Sequence, residues 1–404
     1  MRDDNPAPPR ASSPASLGNA APPDASSGPA HNGDAELLWV GSSGGMEQAL
    51  VERHGLAYRG IHTGQLRGVN PLKALFNIGK MVGGVRQTLA ILNEFPADVC
   101  LVTGGYVCVP VVVACRLRGI PVMIYLPDMT PGWAIRWLSK LAQRVAVSHE
   151  DAAQHFGGEW PQGKAVVTGY PVRPKLLAAA QDRQAARTRL ADALNRGGSR
   201  RTWIDTDKLP LLLVWGASQG ARSINRATWA ALDALTAHAH ILHIVGTRDW
   251  SMAQDPAENP VAAHVRNPDT APDASGPLAE RYCAVDYLHE AMPDALAAAD
   301  VTVARAGASI LGEFTVTGLP AVLVPLPIAG GHQDHNAQTL AQAGAAVILD
   351  DADLSRDLVS TTLPLLQDAD RRNAMADAAR RLARPAAAAA IAAELRKLAQ
   401  ASDP

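Results

Sequence analysis

Three short stretches combine side chains and backbone suited to holding an anion and a sugar. VWGASQGARSIN, residues 214–225, runs from an apolar strand through Gly216-Ala217-Ser218-Gln219-Gly220 into a helix. Small residues let a ligand reach the backbone, while the free N–H groups and dipole of a helix start favour negative charge. Ser218 adds a hydroxyl donor. On spacing alone, a tight turn without a ligand fits as well. VARAGASILGEF, residues 303–314, repeats the plan, with Arg305-Ala306-Gly307-Ala308-Ser309 leading into a helix that carries Glu313. Glu313 either answers the helix dipole as a cap-region acid or accepts hydrogen bonds from both hydroxyls of a ribose. PLPIAGGHQDHNAQTL, residues 325–340, delivers His332, Gln333, Asp334, His335 and Asn336 to a helix start. Their types suit a metal, but no third and fourth ligands stand at useful spacing. Polar contacts to a sugar are the better reading, and neither metal nor cofactor is expected.

Two more loops complete the set. TGGYVCVP (103–110) presents Gly104, Gly105 and Tyr106 before a helix, and GYPVRP (169–174) holds Arg173 on a stiff segment between two prolines. An ordinary surface arginine is the alternative for Arg173.

The elements that must position these loops are legible from Glu36 onward. ELLWV, ADVCLV, IPVMIYL, RVAVS and KAVVTG read as strands separated by the helical stretches MEQALVERHG, VPVVVACRLRG and WAIRWLSKLA. Such alternation implies parallel βαβ units. A second series, from LPLLLVW to AAVIL, follows a polar connection at about residues 180–208 and contains a polar insertion at 249–276. The fold class is therefore α/β, with two Rossmann-like doubly wound domains facing a cleft and ligands at the carboxyl ends of the strands. We place a Pro/Ala/Ser-rich disordered head at 1–35, a first domain at 36–170, a second at 171–385, and a C-terminal helix and tail at 386–404. Residues 1–34 contain only Met1 and Leu17 as large apolar side chains, too few to offset the entropy of ordering.

With 47% apolar and 19% charged residues, the 404-residue chain can bury two cores. Its 37 basic and 39 acidic side chains leave a net charge of −2, which argues against nucleic acid as a partner. Four cysteines form no CxxC pair, which fits a reducing compartment, and Cys100, Cys108 and Cys115 in apolar surroundings read as small buried hydrophobes. No run approaches the ~20 apolar residues of a membrane span.

WVGSSGGMEQALVERHG, GQLRG (64–68), TGGYVCVP, GYPVR, GASQGA, RAGAS with GE, and HQDHNA together, in this order and spacing, resemble the MurG family of GT-B glycosyltransferases. The resemblance runs from about Leu37 to Leu354. It implies inverting transfer of N-acetylglucosamine from UDP-N-acetylglucosamine to an undecaprenyl-pyrophosphoryl-muramoyl-pentapeptide. It also implies a cytoplasmic enzyme lying peripherally on the inner face of the cell membrane. Donor binding falls to Arg173, Ser218 and Gln219 at the diphosphate, Glu313 at the ribose, and Tyr287 and Leu288 along the uracil. Ala308 and Ser309 line the pocket, Gln333 and Asn336 read sugar hydroxyls, and Gly104, Gly105 and Tyr106 form the acceptor-side loop. The stretch 70–92, apolar with Lys73, Lys80 and Arg86, suits contact with an anionic membrane surface; an ordinary packed helix fits nearly as well.

Two departures bear on catalysis. The family opens with a strand and a GGTGGH-type loop that have no counterpart before Leu37. The glycine turn at 41–45 is then a structural turn, and the first domain is expected to lack its first βα unit. A second family motif, of HEQN type, is here Tyr125-Leu126-Pro127-Asp128. Asp128 is the candidate polar group near the acceptor, a helix N-cap region being its plainer alternative. A noncatalytic UDP-sugar-binding remnant, another GT-B glycosyltransferase and a UDP-sugar epimerase are the other readings.

Overall fold

The computed structural model describes residues 30–32, 35–45, 47–64, 70–195, 209–216, 220–266, 276–327 and 331–401. The second domain is built on six parallel strands: β8 (Leu211–Trp215), β9 (His240–Ile244), β10 (Tyr282–Val285), β11 (Val301–Ala304), β12 (Ala321–Leu323) and β13 (Ala346–Ile348). They lie in the order β10-β9-β8-β11-β12-β13. Helices cover both faces, so LLLV of β8 and all of β9 are buried, with His240 and His243 standing among the apolar residues of β9. The order reverses between β8 and β11. At that switch point the two loops leaving these strands diverge and open a crevice.

The first domain has β1 (Ala30–Asn32), β2 (Ala35–Ser42) and β3 (Ala57–Ile61) in one sheet, and β4 (Cys100–Val102), β5 (Val122–Leu126), β6 (Arg144–Val147) and β7 (Ala165–Val167) in another. β2–β3 and β4–β7 are parallel. Ala30–Asn32 corrects the expectation of disorder up to residue 35, because these residues pair antiparallel with Ala35–Leu37. Among the described residues no strand joins the two sheets, and Trp39 of β2 and Leu101 of β4 stay 44% and 41% exposed. Cys100 beside Leu101 is half-buried, whereas Cys108 and Cys115 are buried as expected of small hydrophobes.

The helix Pro71–Glu94 packs along the helix Cys108–Leu117. Gly84 permits the approach, since a Cβ there would lie 2.3 Å from the His62 carbonyl and 3.2 Å from Pro110 Cβ. The final helix, Ala387–Gln400, crosses back to the first domain, where Ile391 and Leu398 pack on Met123, Tyr125 and Ala146. The polar insertion at 249–276 contains the short helices Trp250–Ala253 and Ala262–Arg266. Met252 and Ala253 of this insertion are buried, giving it an apolar anchor that its polar composition conceals.

Candidate active site

A cavity of about 170 Å³ opens at the second domain's switch point, lined by Arg173, Trp215, Ile244, Tyr287, Leu288, His289, Met292, Ser309 and Glu313. Five of these, Arg173, Tyr287, Leu288, Ser309 and Glu313, are residues that the sequence nominates. Glu313 lies in the first turn of the helix Ile310–Thr317, whose N-cap Ser309 makes no side-chain capping bond. It is no cap. Its carboxylate lies 3.9 Å from the Arg173 guanidinium and is largely buried, whereas Arg173 is half exposed. Burial pushes the Glu313 carboxyl above its ordinary range, against the opposing pulls of the Ser309 hydroxyl and Arg173. A buried, poorly paired carboxylate beside a cation is suited to two hydroxyl donors from a ligand.

The junction brings Arg173 to this place. Pro174 begins the helix Pro174–Gln181, with Arg173 extended at its N-cap. Upstream, Tyr170 lies against Gly312, where a Cβ would approach Tyr170 Cβ to 2.9 Å. On the far wall, Tyr287 stands edge-on to His289 at 4.7 Å between ring centroids. An ion pair between Lys175 and Glu290 crosses the rim. Trp215, at the end of β8, tilts against Phe314 at 6.2 Å.

Ser218 and Gln219 lie outside the described residues; Gly216 and Gly220 bracket them. A Cβ on Gly216 would sit 2.2 Å from Ala221 Cβ. Gly220 has φ +87° and faces the Val245 carbonyl, 2.4 Å from where a Cβ would be. Beneath it runs a buried relay of hydrogen bonds. Trp229 Nε1–H, which can only donate, reaches the Tyr282 hydroxyl at 3.2 Å. That hydroxyl then donates to His243 Nδ1 at 3.1 Å, and His243 Nε2–H donates to Asn225 Oδ1 at 3.0 Å. Asn225 Nδ2 finishes the relay on the Val245 carbonyl and Asp249 Oδ2, at 3.0 and 3.1 Å. The loop's end is thus fixed from the core. Gly220→Ala is expected to cost about 2 kcal/mol or more through strain at positive φ, a loss that urea denaturation would register.

A second clamp holds the β11 loop. The Arg305 side chain, 9% exposed, pairs with Asp351 at 2.6 Å and donates to Ser223 Oγ at 2.8 Å. It also donates to the Val324 and Pro325 carbonyls. Ala308 and Ser309 are consequently held half-buried at the crevice.

Gln333 Oε1 accepts from the backbone N–H of Ala306 and of Leu326, joining the loops after β11 and β12. Asn336 is fully buried, and its amide is taken up by protein groups rather than left open to a sugar. His332 Nδ1 meets Thr130 of the first domain. No three His, Cys, Asp or Glu among the described residues gather as metal ligands.

In the first domain, Gly104 and Gly105 have φ +120° and +85° just before the helix Cys108–Leu117, a path that needs glycine. Tyr106 is exposed beside them. Asp128 lies at the carboxyl end of β5 and is not an N-cap, since the next helix, Trp133–Leu138, is preceded by Gly132. It faces Asn336 across the cleft.

Two α/β domains meeting at a cleft, with a carboxylate–arginine cavity at the switch point of the second, are the plan of the GT-B glycosyltransferases. Family models agree: the glycosyltransferase family 28 N-terminal domain matches residues 31–147 and the family 28 C-terminal domain residues 211–393. The UDP-N-acetylglucosamine--N-acetylmuramyl-(pentapeptide) pyrophosphoryl-undecaprenol N-acetylglucosamine transferase of Roseiflexus sp. (strain RS-1) is 38% identical over 390 residues, covering 88% of this chain and 82% of that relative. The crystal structure of Acinetobacter baumannii MurG superposes with a TM-score of 0.67 at 25% identity, over 89% of this chain and 90% of that one. The chain belongs to the MurG family of glycosyltransferases. A UDP-GlcNAc 2-epimerase from Neisseria meningitidis shares the fold, with a TM-score of 0.56 at 13% identity over 87% of this chain and 90% of that one.

Proposed function

We propose that the chain transfers N-acetylglucosamine from UDP-N-acetylglucosamine to an undecaprenyl-linked muramoyl-pentapeptide, with inversion at the anomeric carbon. The Arg173–Glu313 pair in the switch-point cavity carries this reading. Glu313 accepts the ribose hydroxyls, Tyr287 and Leu288 flank the uracil, and Ala308 and Ser309 line the donor pocket. Ser218, Gln219 and Arg173 face the diphosphate, and Gln333 offers its amide to the sugar. As the acceptor hydroxyl oxygen bonds to the anomeric carbon, the bond from that carbon to the diphosphate oxygen breaks and charge grows on departing UDP. Arg173 and the free N–H groups at the start of the helix Arg222–Thr236 stabilise that charge. The acceptor's proton passes to a base, for which we assign Asp128 as first candidate, with the loop Gly104–Tyr106 on the acceptor side.

Isothermal calorimetry with UDP-N-acetylglucosamine, followed by a transfer assay on the lipid-linked acceptor, tests the reading. Binding with release of UDP and a glycosylated lipid is expected. Failure to bind sinks it, and conversion of the sugar to its 2-epimer would favour the epimerase reading.

We also propose peripheral attachment to the cytoplasmic face of the membrane through the helix Pro71–Glu94. None of the described helices is long and apolar enough to cross a membrane. Phe76, Ile78 and Val82 of this helix are 65%, 48% and 52% exposed, and the Lys80 ammonium lies 4.9 Å above the Phe76 ring. Apolar side chains spread over the helix's exposed surface, with a lysine beside one of them, suit anionic lipid. Replacing Phe76, Ile78 and Val82 together by Ser is expected to abolish co-sedimentation with phosphatidylglycerol vesicles while leaving calorimetric UDP-N-acetylglucosamine binding intact. Unchanged co-sedimentation would rule this surface out.

A further inference from the structure

Asn336 stands one turn into the helix His332–Gln342 in the second domain, 0% exposed. Its Oδ1 accepts the backbone N–H of Met129 at 3.0 Å. Its Nδ2 donates to Asp128 Oδ1 at 3.1 Å and to the Ala306 carbonyl at 3.1 Å. Both amide hydrogens are therefore used, and two of the three bonds cross from one domain to the other. One turn earlier, His332 Nδ1 lies 2.9 Å from Thr130 Oγ1 and 3.1 Å from the Thr130 carbonyl. The hydroxyl donates if Nδ1 is bare and the carbonyl accepts if Nδ1 carries the proton, so either tautomer has a partner. Three consecutive residues after β5 are thus held by two side chains of one helix.

The geometry points to Asn336 as an interdomain clasp: a positioning residue that fixes the loop Asp128–Thr130, and with it the relative register of the two domains, before any ligand binds. Three features fit a clasp better than a sugar reader. The amide is sealed from solvent, its hydrogens are already satisfied, and a hydroxyl could take either of them only by displacing Asp128 or Ala306. Because Ala306 belongs to the loop after β11, the same amide also ties the first domain to the donor crevice. Asp128 is then held by the second domain, and opening the cleft would release it. The inference deepens the proposed transfer reaction by naming what positions its acceptor side, and it rests on that reading for its catalytic meaning only; the clasp itself is a property of the ligand-free protein.

The test follows the Met129 amide by hydrogen exchange in the full chain without ligand. Asn336→Ala removes its acceptor and is expected to speed exchange at Met129 by about tenfold or more, with core amides of β9 unchanged. Asn336→Asp sets a second carboxylate against Asp128 and should speed it further. Adding Asp128→Asn to Asn336→Asp supplies a donor to that carboxylate and should slow exchange again, incompletely because the Ala306 carbonyl still faces an oxygen. If Asn336→Ala proves unstable, Asp128→Ala serves in its place and should also speed exchange at Met129. Unchanged exchange in these variants, or a double variant as fast as Asn336→Asp alone, overturns the clasp. So does a selective loss of UDP-N-acetylglucosamine over UDP binding in Asn336→Ala with Met129 still protected, which would make Asn336 the sugar reader. Wild-type calorimetry separately decides whether the donor is bound at all.

Discussion

Glu313→Ala is expected to weaken UDP-N-acetylglucosamine binding by about 30- to 100-fold, the worth of roughly 2–3 kcal/mol for hydrogen bonds to a buried carboxylate. Calorimetry with UDP-N-acetylglucosamine and with UDP should show the loss for both ligands, because the ribose is common to them. The same variant should be more stable than the parent without ligand. Burial raises the Glu313 carboxyl, so its charge opposes folding, and Arg173 at 3.9 Å relieves that cost only in part. A simple structural defect would lower both quantities. Loss of binding together with a higher unfolding midpoint is the signature of a charge kept for its ligand. Full binding by the variant would remove Glu313 from the donor site.

The second large effect is a loss of stability in acid. His243 is wholly buried, and desolvation pushes its imidazole from 6.5 down to about 3. It stays neutral in the fold, donating to Asn225 and accepting from Tyr282. The unfolded chain takes up a proton below pH 6.5 that the folded chain refuses. Stability is therefore complete above that pH and falls by about 1.4 kcal/mol per pH unit as pH drops toward about 3. The loss from this one group is roughly 5 kcal/mol across the window. Urea denaturation at a series of pH values measures it, and His243→Leu should flatten the slope while lowering stability at neutral pH by orphaning the Asn225 and Tyr282 groups. A slope equal in parent and variant would contradict the assignment.

Much of the architecture was readable because apolar period and glycine punctuation agree. IPVMIYL, RVAVS and LPLLLVW became β5, β6 and β8, and Gly119 closes its helix at φ +75°. What escaped was set by contacts rather than by period. Ala30–Asn32 has no apolar pattern of its own and is a strand only through its pairing with β2. Within the cavity, Glu313 and Arg173 could be nominated because Glu313 follows, and Arg173 sits in, a loop of distinctive composition. Nothing in the sequence separates Ile244 and Met292 from core residues, and Trp215 stands one residue before a glycine loop without marking itself as a wall. His289 was within reach, two residues past Tyr287. The pairing of Asn336 with Asp128 spans 208 positions, and no local spacing could reveal it. Asp128 read as a possible N-cap because sequence offers only neighbours along the chain as partners; its partner lies in the other domain.

The return of the helix Ala387–Gln400 onto the first domain has a consequence for biosynthesis. Met123, Tyr125 and Ala146 leave the ribosome some 250 residues before Ile391 and Leu398 arrive to cover them. The first domain therefore cannot close that face of its sheet until Ile391 and Leu398 have been made, whereas the second domain's central strands can pair as they emerge. The order of synthesis and the order of folding are opposed here: the domain made first is completed last. Through that interval the nascent chain displays an apolar patch, and the final helix is the segment whose arrival ends the exposure.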